Sequence, residues 1–265
     1  MDLLLASEVW NAEKTSMAMD ICTITEISLA SGGHLFSCSC ASGPAFEGAH
    51  IRDGMRAGAG AIERVQIQAG EVRVQTIGGQ RPVGICGSGI LDAIAALASV
   101  GALNGSGRLQ REHPLVRTLE DGKRECVLVS GADTGHGRDI AVTQKDVHEF
   151  LLAKAAIRVG INTLLEEAGL APASLEEFIV AGAFGTYIDV ASAIGVRMFP
   201  PLPLERFSQV GNAAGAGAKQ MLISGQARRI SASMGERVEY VELARHPRFS
   251  QGFMEALYLK RTSRS

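Results

Sequence analysis

The chain has 265 residues, 46% of them hydrophobic and 20% charged, so it is an ordinary globular protein long enough to bury a substantial core. A formal net charge of −2 argues against nucleic acid or an anionic membrane surface as a partner, since either would require a basic patch. No stretch approaches the roughly 18 consecutive apolar residues of a membrane span, and 31 glycines with only 5% aromatics suit an α/β protein with many tight strand–helix turns.

Residues 2–14 read as a short amphipathic helix with Leu4, Leu5, Ala6 and Trp10 as its apolar members. Leu3, Leu4 and Leu5 are followed at once by Glu8, Asn11 and Glu13, which is not the pattern of a secretory leader, and the expected location is the cytoplasm. A helix with no strand before it is an odd opening for an α/β domain, so residues 1–16 read as the remnant of a preceding region. Met17 to Ile24 reads as a strand, Thr25 to Ala30 alternates like a second, and His34 to Cys40 returns after the hairpin turn Ser31-Gly32-Gly33. Within the first of these, Asp20 is costly unless paired, hydrogen-bonded or on a ligand. A solvated strand end is the alternative.

The cysteines stand at 22, 38, 40, 86 and 126, with no C-x-x-C among them. Cys38 and Cys40 would share one face of a strand, but two thiolates are too few for a zinc or iron–sulfur site, and all five fit reduced thiols. Ala41 to Met55 reads as a loop passing into a short helix, and Glu63 to Val74 as alternating strands around Ala69-Gly70. Gly84 to Gly89 leads into a helix over Ile90–Leu97, with Gly101 just past its end. A glycine loop entering a helix offers backbone N–H groups to phosphate oxygens, but the lysine of a P-loop is missing, and simple packing of a helix end on a sheet gives the same pattern.

Residues 104–137 are polar, glycine-rich and broken by Pro114, and read as an exposed excursion with one strand at Cys126–Val129. Thr143 and Asp146 form the cap of the strongest helix, whose apolar spacing runs through Val147, Leu151, Ile161 and Leu165 to a stop at Gly169. Lys154 and Arg158 lie one turn apart on it and fit a solvated face. Phe178, Ile179 and Val180 form an uninterrupted apolar run, as in a strand buried on both faces, and Ala181 to Gly185 is a tight small-residue turn. Strand, glycine turn and helix is where open α/β sheets place ligands, although a plain turn of this kind is equally common. Gln209 to Ala218 repeats the passage, with a helix to about Ser224. Val238 to Leu243 and Phe249 to Leu259 read as a last strand and helix.

Five motifs in order resemble one family: M-D-I-C-T-I-T-E-I at 19–27, G-P-A-F-E-G at 43–48, G-I-C-G-S-G-I-L-D at 84–92, A-G-A-F-G at 181–185 and V-G-N-A-A-G-A-G-A at 210–218. Their order is that of the carboxyl-terminal part of the reductive activators of corrinoid proteins. The resemblance implies an α/β, ribonuclease-H-like lobe of the actin, hexokinase and Hsp70 type, with a mixed sheet flanked by helices and an incomplete pair of lobes. Residues 1–265 would be the C-terminal lobe of that ASKHA-type nucleotide-binding domain. Family members are ATP-dependent and carry an amino-terminal 2Fe–2S ferredoxin domain, for which this chain has no ligands. They return an inactive Co(II) corrinoid protein of a methyltransferase system to Co(I).

By the resemblance, Asp20 would orient water or Mg²⁺ at the phosphates of ATP. Thr23, Gly84, Gly87, Ser88 and Gly89 would line the phosphate side, Gly182, Ala183 and Gly185 would lie under the adenosine, and Gly211 and Asn212 would flank it. Glu47 and the loop 43–55 would face the corrinoid partner or the missing lobe. The family has D-I-G-T-N where this chain has Asp20-Ile21-Cys22-Thr23-Ile24. Cys22 and Ile24 would weaken phosphate binding, Cys22 by placing a Cβ at the phosphates and disfavouring any positive φ. The expected function is therefore the nucleotide-binding half of an ATP-dependent corrinoid activator that is inactive alone. The alternatives are a non-catalytic module that grips a corrinoid protein or forms a homodimer, and a small-molecule kinase of the same fold, for which a first phosphate loop is not evident.

Overall fold

The computed structural model describes residues 1–11 and 13–259, apart from the side chain of residue 183. The helices are α1 (Asp2–Ser7), α2 (Gly87–Ser99), α3 (Gln144–Glu167), α4 (Gly182–Gly185), α5 (Val190–Gly195), α6 (Ala213–Ile223), α7 (Gly225–Arg237) and α8 (Phe249–Ala256). The strands are β1 (Ser16–Asp20), β2 (Thr25–Ser31), β3 (His34–Cys40), β4 (Ala61–Gln68), β5 (Glu71–Thr76), β6 (Gly84–Ile85), β7 (Arg117–Thr118), β8 (Arg124–Val129), β9 (Ile140–Thr143), β10 (Glu177–Ala181), β11 (Phe207–Gln209) and β12 (Val238–Tyr240). The chain divides into two compact units, one of Met1–Ser42, Ala156–Thr186 and Pro200–Phe253, the other of Gly43–Ala155, Tyr187–Phe199 and the residues from Met254 on.

The first unit is built on a six-stranded mixed sheet in the order β11-β10-β1-β2-β3-β12. β1, β2 and β3 are antiparallel neighbours, whereas β10 runs parallel to β1 and β11 parallel to β10. This is the mixed sheet expected of a ribonuclease-H-like lobe. Its central strands are buried on both faces, with Met17, Ala18, Met19, Phe178 and Val180 fully enclosed, as their unbroken apolar runs predict. The second half of α3 lies on the sheet through Gly160, where a Cβ would sit 2.3 Å from Cys40 Sγ. Cys38 and Cys40 fill this contact, and a hydrogen bond given by the Cys38 thiol to Cys40, together with burial, pushes the Cys38 thiol far above its usual range. Leu3, Leu4, Leu5 and Ala213 join α1 and α6 in a further apolar cluster.

The second unit holds two three-stranded sheets, β5-β4-β6 and β7-β8-β9. The stretch 104–137, expected as an exposed excursion, supplies β7 and β8, and its Leu109, Glu125, Cys126 and Leu128 are buried. Glu125 is 1% exposed yet ionic. Arg52 Nη1 and Arg117 Nε both donate to it, the latter at 2.7 Å. Arg117 continues to Asp139 at 2.9 Å, and Arg52 to Asp53 at 3.1 Å. Asp53 in turn accepts the Ala141 N–H at 2.9 Å, so the chain of charges ties the loop after Phe46 to β8 and β9.

Several boundaries differ from the sequence reading. β1 stops at Asp20, four residues early, because Ile21 turns away to donate its N–H to Ala181 O at 3.3 Å. The helix expected near residues 41–55 is the single turn Pro44–Glu47. α7 went unread because its apolar stripe is only Ala227, Ile230 and Met234 in an arginine-rich segment; Ser224 caps it by accepting the Ala227 N–H at 3.2 Å. Lys154 is not solvated: it is fully buried, and its Nζ donates to Tyr258 O at 2.9 Å, since an enclosed ammonium must be partnered. Arg158 is half-buried.

Burial pushes the Glu125 carboxyl up, and hydrogen bonds from Arg52 and Arg117 more than offset it, leaving the group below the usual glutamate range. Its contribution is therefore present at neutral pH and lost as pH falls through the lowered folded-state value. Glu125→Ala should cost about 2 kcal/mol at pH 7, a fall in Tm of about 4–8 °C by thermal melting, and the gap to the wild type should close in acid.

Candidate functional site

β1, β10 and β11 run parallel, so their carboxyl ends fall on one edge of the sheet, in register through Asp20–Ala181 and Val180–Gln209. Beyond the strand ends, Gly182 N–H donates to Gly211 O at 2.9 Å and Val210 N–H to Val180 O at 3.1 Å. Four of the residues singled out from sequence, Asp20, Gly182, Gly211 and Asn212, are thereby held at one sheet edge. Gly182 has φ +91°, and a Cβ there would lie 2.5 Å from Asp20 Oδ1 and 2.9 Å from Ile21 O. Only glycine fits both the conformation and the space.

Asp20 is half-buried, and burial raises its carboxyl pKa. It is the last residue of β1, where the turn 21–24 begins, so the cost of burying it is partial. The turn 21–24 is fixed from behind: Ser42 Oγ donates to Cys22 O at 2.9 Å and Thr25 Oγ1 to the same oxygen at 3.3 Å. Cys22, Thr23 and Ile24 are exposed. Cys22 is not among the residues with positive φ, so the backbone objection to a cysteine there does not arise in this conformation. Asn212 caps α6, its Oδ1 accepting the Gly215 N–H at 2.8 Å. Gly185 is buried close against Val180, and Gln209 Nε2 donates to its carbonyl at 2.6 Å. The side chain of Ala183 lies outside the described residues.

The other predicted phosphate residues belong to the second unit. Gly84, Gly87, Ser88 and Gly89 are all buried. A Cβ at Gly89 would meet Ile62 O at 2.1 Å, and one at Gly84 would meet Met55 Sδ at 2.8 Å. Ile85 N–H donates to Asp53 O at 2.8 Å and Cys86 N–H to Ile62 O at 3.1 Å. The glycines here let α2 start flush against β4, which is a packing reason for the motif. Glu47 is half-buried in its single-turn helix.

One polar cluster escaped the sequence reading. Asp92, 5% exposed on α2, lies 3.6 Å from Arg64 Nη1, which is also 3.9 Å from Asp189. Burial raises the Asp92 pKa against the opposing pull of Ser192 and Arg64. The signal was available, since Asp92 interrupts the apolar run Ile90–Leu97 just as Asp20 ends one. Among the described residues no three His, Cys, Asp or Glu side chains come together to hold a metal ion, and no helix is long and apolar enough to cross a membrane.

The mixed sheet with its flanking helices, and the glycine turns at the carboxyl ends of its parallel strands, define an ASKHA protein, of the actin- and hexokinase-like fold. A profile of the C-terminal domain of RACo, the ASKHA domain, matches residues 14–265, and the chain belongs to that family. It is 36% identical over 250 residues to the corrinoid activation enzyme RamQ of Eubacterium limosum, covering 91% of this chain and 42% of that protein. It is 28% identical over 243 residues to a Co(II) methylated amine-specific corrinoid protein reductase of Methanosarcina barkeri, covering 83% and 41%. A solved reductive activator for corrinoid, iron–sulfur protein superposes with a TM-score of 0.89 at 37% identity, over 97% of this chain and 41% of the other. The chain thus spans about two fifths of the length of these relatives.

Gly182→Ala should destabilise the chain by about 1–3 kcal/mol, because it adds backbone strain to a collision with Asp20. Gly211→Ala, with φ +65° but only Thr186 Oγ1 at 3.8 Å, should cost about 1 kcal/mol. Chemical denaturation of both variants measures the difference.

Proposed function

We propose that this chain is the nucleotide-binding part of an ATP-dependent reductive activator of a corrinoid protein. The observation that carries the reading is the Asp20–Gly182 pair: a half-buried carboxylate against bare backbone, at the carboxyl edge of parallel strands. That edge is where α/β sheets take ligands. The residues present fit ATP·Mg²⁺. Asp20 would hold a Mg²⁺-bound or attacking water, Gly182 would let a ligand approach the main chain, and Gly211 and Asn212 would flank the adenosine. Thr23 lies exposed on the turn beside Asp20 and would contact phosphate. ATP supplies the free energy of hydrolysis, which in such proteins drives domain movement; the protein's part is positioning and charge stabilisation.

The relatives' own names support a corrinoid protein as partner and its reductive activation as the role. The loop 43–55, with Glu47, is the proposed partner-facing segment. Electrons would come from an iron–sulfur group held outside this chain's residues. The family relation favours this reading over a module that only grips a corrinoid protein or self-associates.

Calorimetric titration of ATP·Mg²⁺ into the 265-residue chain tests the proposal. With the chain spanning about two fifths of its relatives' length, the proposed site takes further contacts from outside these residues, and binding should be weak, with Kd near about 1 mM or above. Asp20→Ala should weaken it further, and no turnover should follow. Binding indifferent to Asp20→Ala would overturn it; micromolar binding with turnover would overturn the expectation that the chain needs contacts from elsewhere. Capture of a corrinoid protein that is unchanged by ATP would instead support the gripping module.

A further inference from the structure

The second unit contains a cavity of about 1130 Å³ that the nucleotide reading does not use. Its walls come from the loop at residues 50–52, Arg108, the β7–β8 turn and the start of α3. The acids in this wall are already engaged. Asp146 accepts the Arg52 N–H at 2.8 Å and the Thr143 N–H at 2.8 Å, and Asp121 accepts from Lys123 Nζ at 2.7 Å. Arg52 is neutralised by Glu125 and Asp53.

Three cations in the wall have no carboxylate partner among the described residues: Arg108, Arg124 and Lys145. Their grouping is built into the backbone. Leu109 donates its N–H to Gln144 Oε1 at 2.8 Å and accepts from Arg124 Nη1 at 2.5 Å, and Gln144 Nε2 donates to Gly107 O at 2.8 Å. Asn104 Oδ1 accepts the Arg108 N–H at 2.9 Å. Leu109, next to Arg108, is thus pinned between Arg124 and Gln144, the neighbour of Lys145. Arg108 and Lys145 are exposed and Arg124 is half-buried, and three like charges around one concavity attract an anion. Ile51 and Leu119 add apolar wall, and the volume, a little above the roughly 300–1,000 Å³ of small-molecule sites, leaves room for a small ligand with its water.

We infer that this cavity binds a small organic phosphate, its phosphate oxygens meeting Arg108, Arg124 and Lys145. The guanidinium groups offer paired N–H donors to phosphate oxygens and the ammonium a point charge. A neutral ligand would leave the charges as they are, and a cation would add to them.

The test uses the full 265-residue chain and inorganic pyrophosphate as probe, followed by NMR shifts of the Arg108, Gly122 and Lys145 amides. Saturable shifts are expected, weakened about 10-fold by Arg108→Glu or Lys145→Glu and unchanged by Asp20→Ala. The last arm separates this cavity from the nucleotide edge: loss of binding in Asp20→Ala would place the phosphate there and overturn this inference alone. Equal weakening by Arg111→Glu, a cation outside the wall, would show mere bulk attraction and overturn it. So would shifts by a poly-glutamate peptide with none by pyrophosphate, which would make the cavity a groove for an acidic protein segment.

Discussion

A backbone turn so close to Asp20 that a Cβ on Gly182 would lie 2.5 Å from its carboxylate is the constraint on which this structure turns. β1 and β10 must be parallel and in register for Asp20 to meet Gly182. Phe178, Val180, Met17 and Met19 secure that register by being buried on both faces, so a slip of one residue is costly. The carbonyl of Gly211 then receives the Gly182 N–H, which brings the third parallel strand's turn to the same edge. One core produces both the fold and the placement of its reactive group. The partly buried Asp20 carries an electrostatic cost of burial, unlike a carboxylate met by a cation.

The second unit shows the opposite use of buried charge. Glu125 is more deeply enclosed than Asp20, yet its pKa falls, because two guanidinium groups meet it directly. Asp146 is likewise buried and satisfied, closing the N-terminus of α3 and holding Arg52. These carboxylates organise loops around sheet edges. The same accounting leaves Arg108, Arg124 and Lys145 as the unbalanced remainder.

Much of the local structure of both units was legible in the sequence. The hairpin at Gly32-Gly33, the Thr143–Asp146 cap and the αL stops at Gly101 and Gly169 are local signals, and each appears where the residues placed it. Asp20 was legible for a different reason, the cost of a carboxylate at the end of an apolar run. At Gly84–Gly89 two demands share the same letters: close packing against Ile62, which the fold displays, and backbone free to meet a phosphate, which that packing leaves open. Lys154 was misread because helix spacing reports a face and not what covers it; Tyr258, 104 residues away, decides its burial. The Arg64–Asp92 and Arg52–Glu125 contacts join segments far apart in sequence, so no motif announces them.

At neutral pH Asp20 is charged at some cost to folding. Denaturant unfolding of the wild type and Asp20→Asn across pH tests it most directly. Because burial raises the folded-state pKa of Asp20, wild-type stability should fall as pH rises through the interval above the ordinary aspartate value. The Asn variant should then be the more stable at pH 7, with the difference vanishing below that interval. An Asn variant that is less stable at pH 7 would make the carboxylate a structural group and contradict the account.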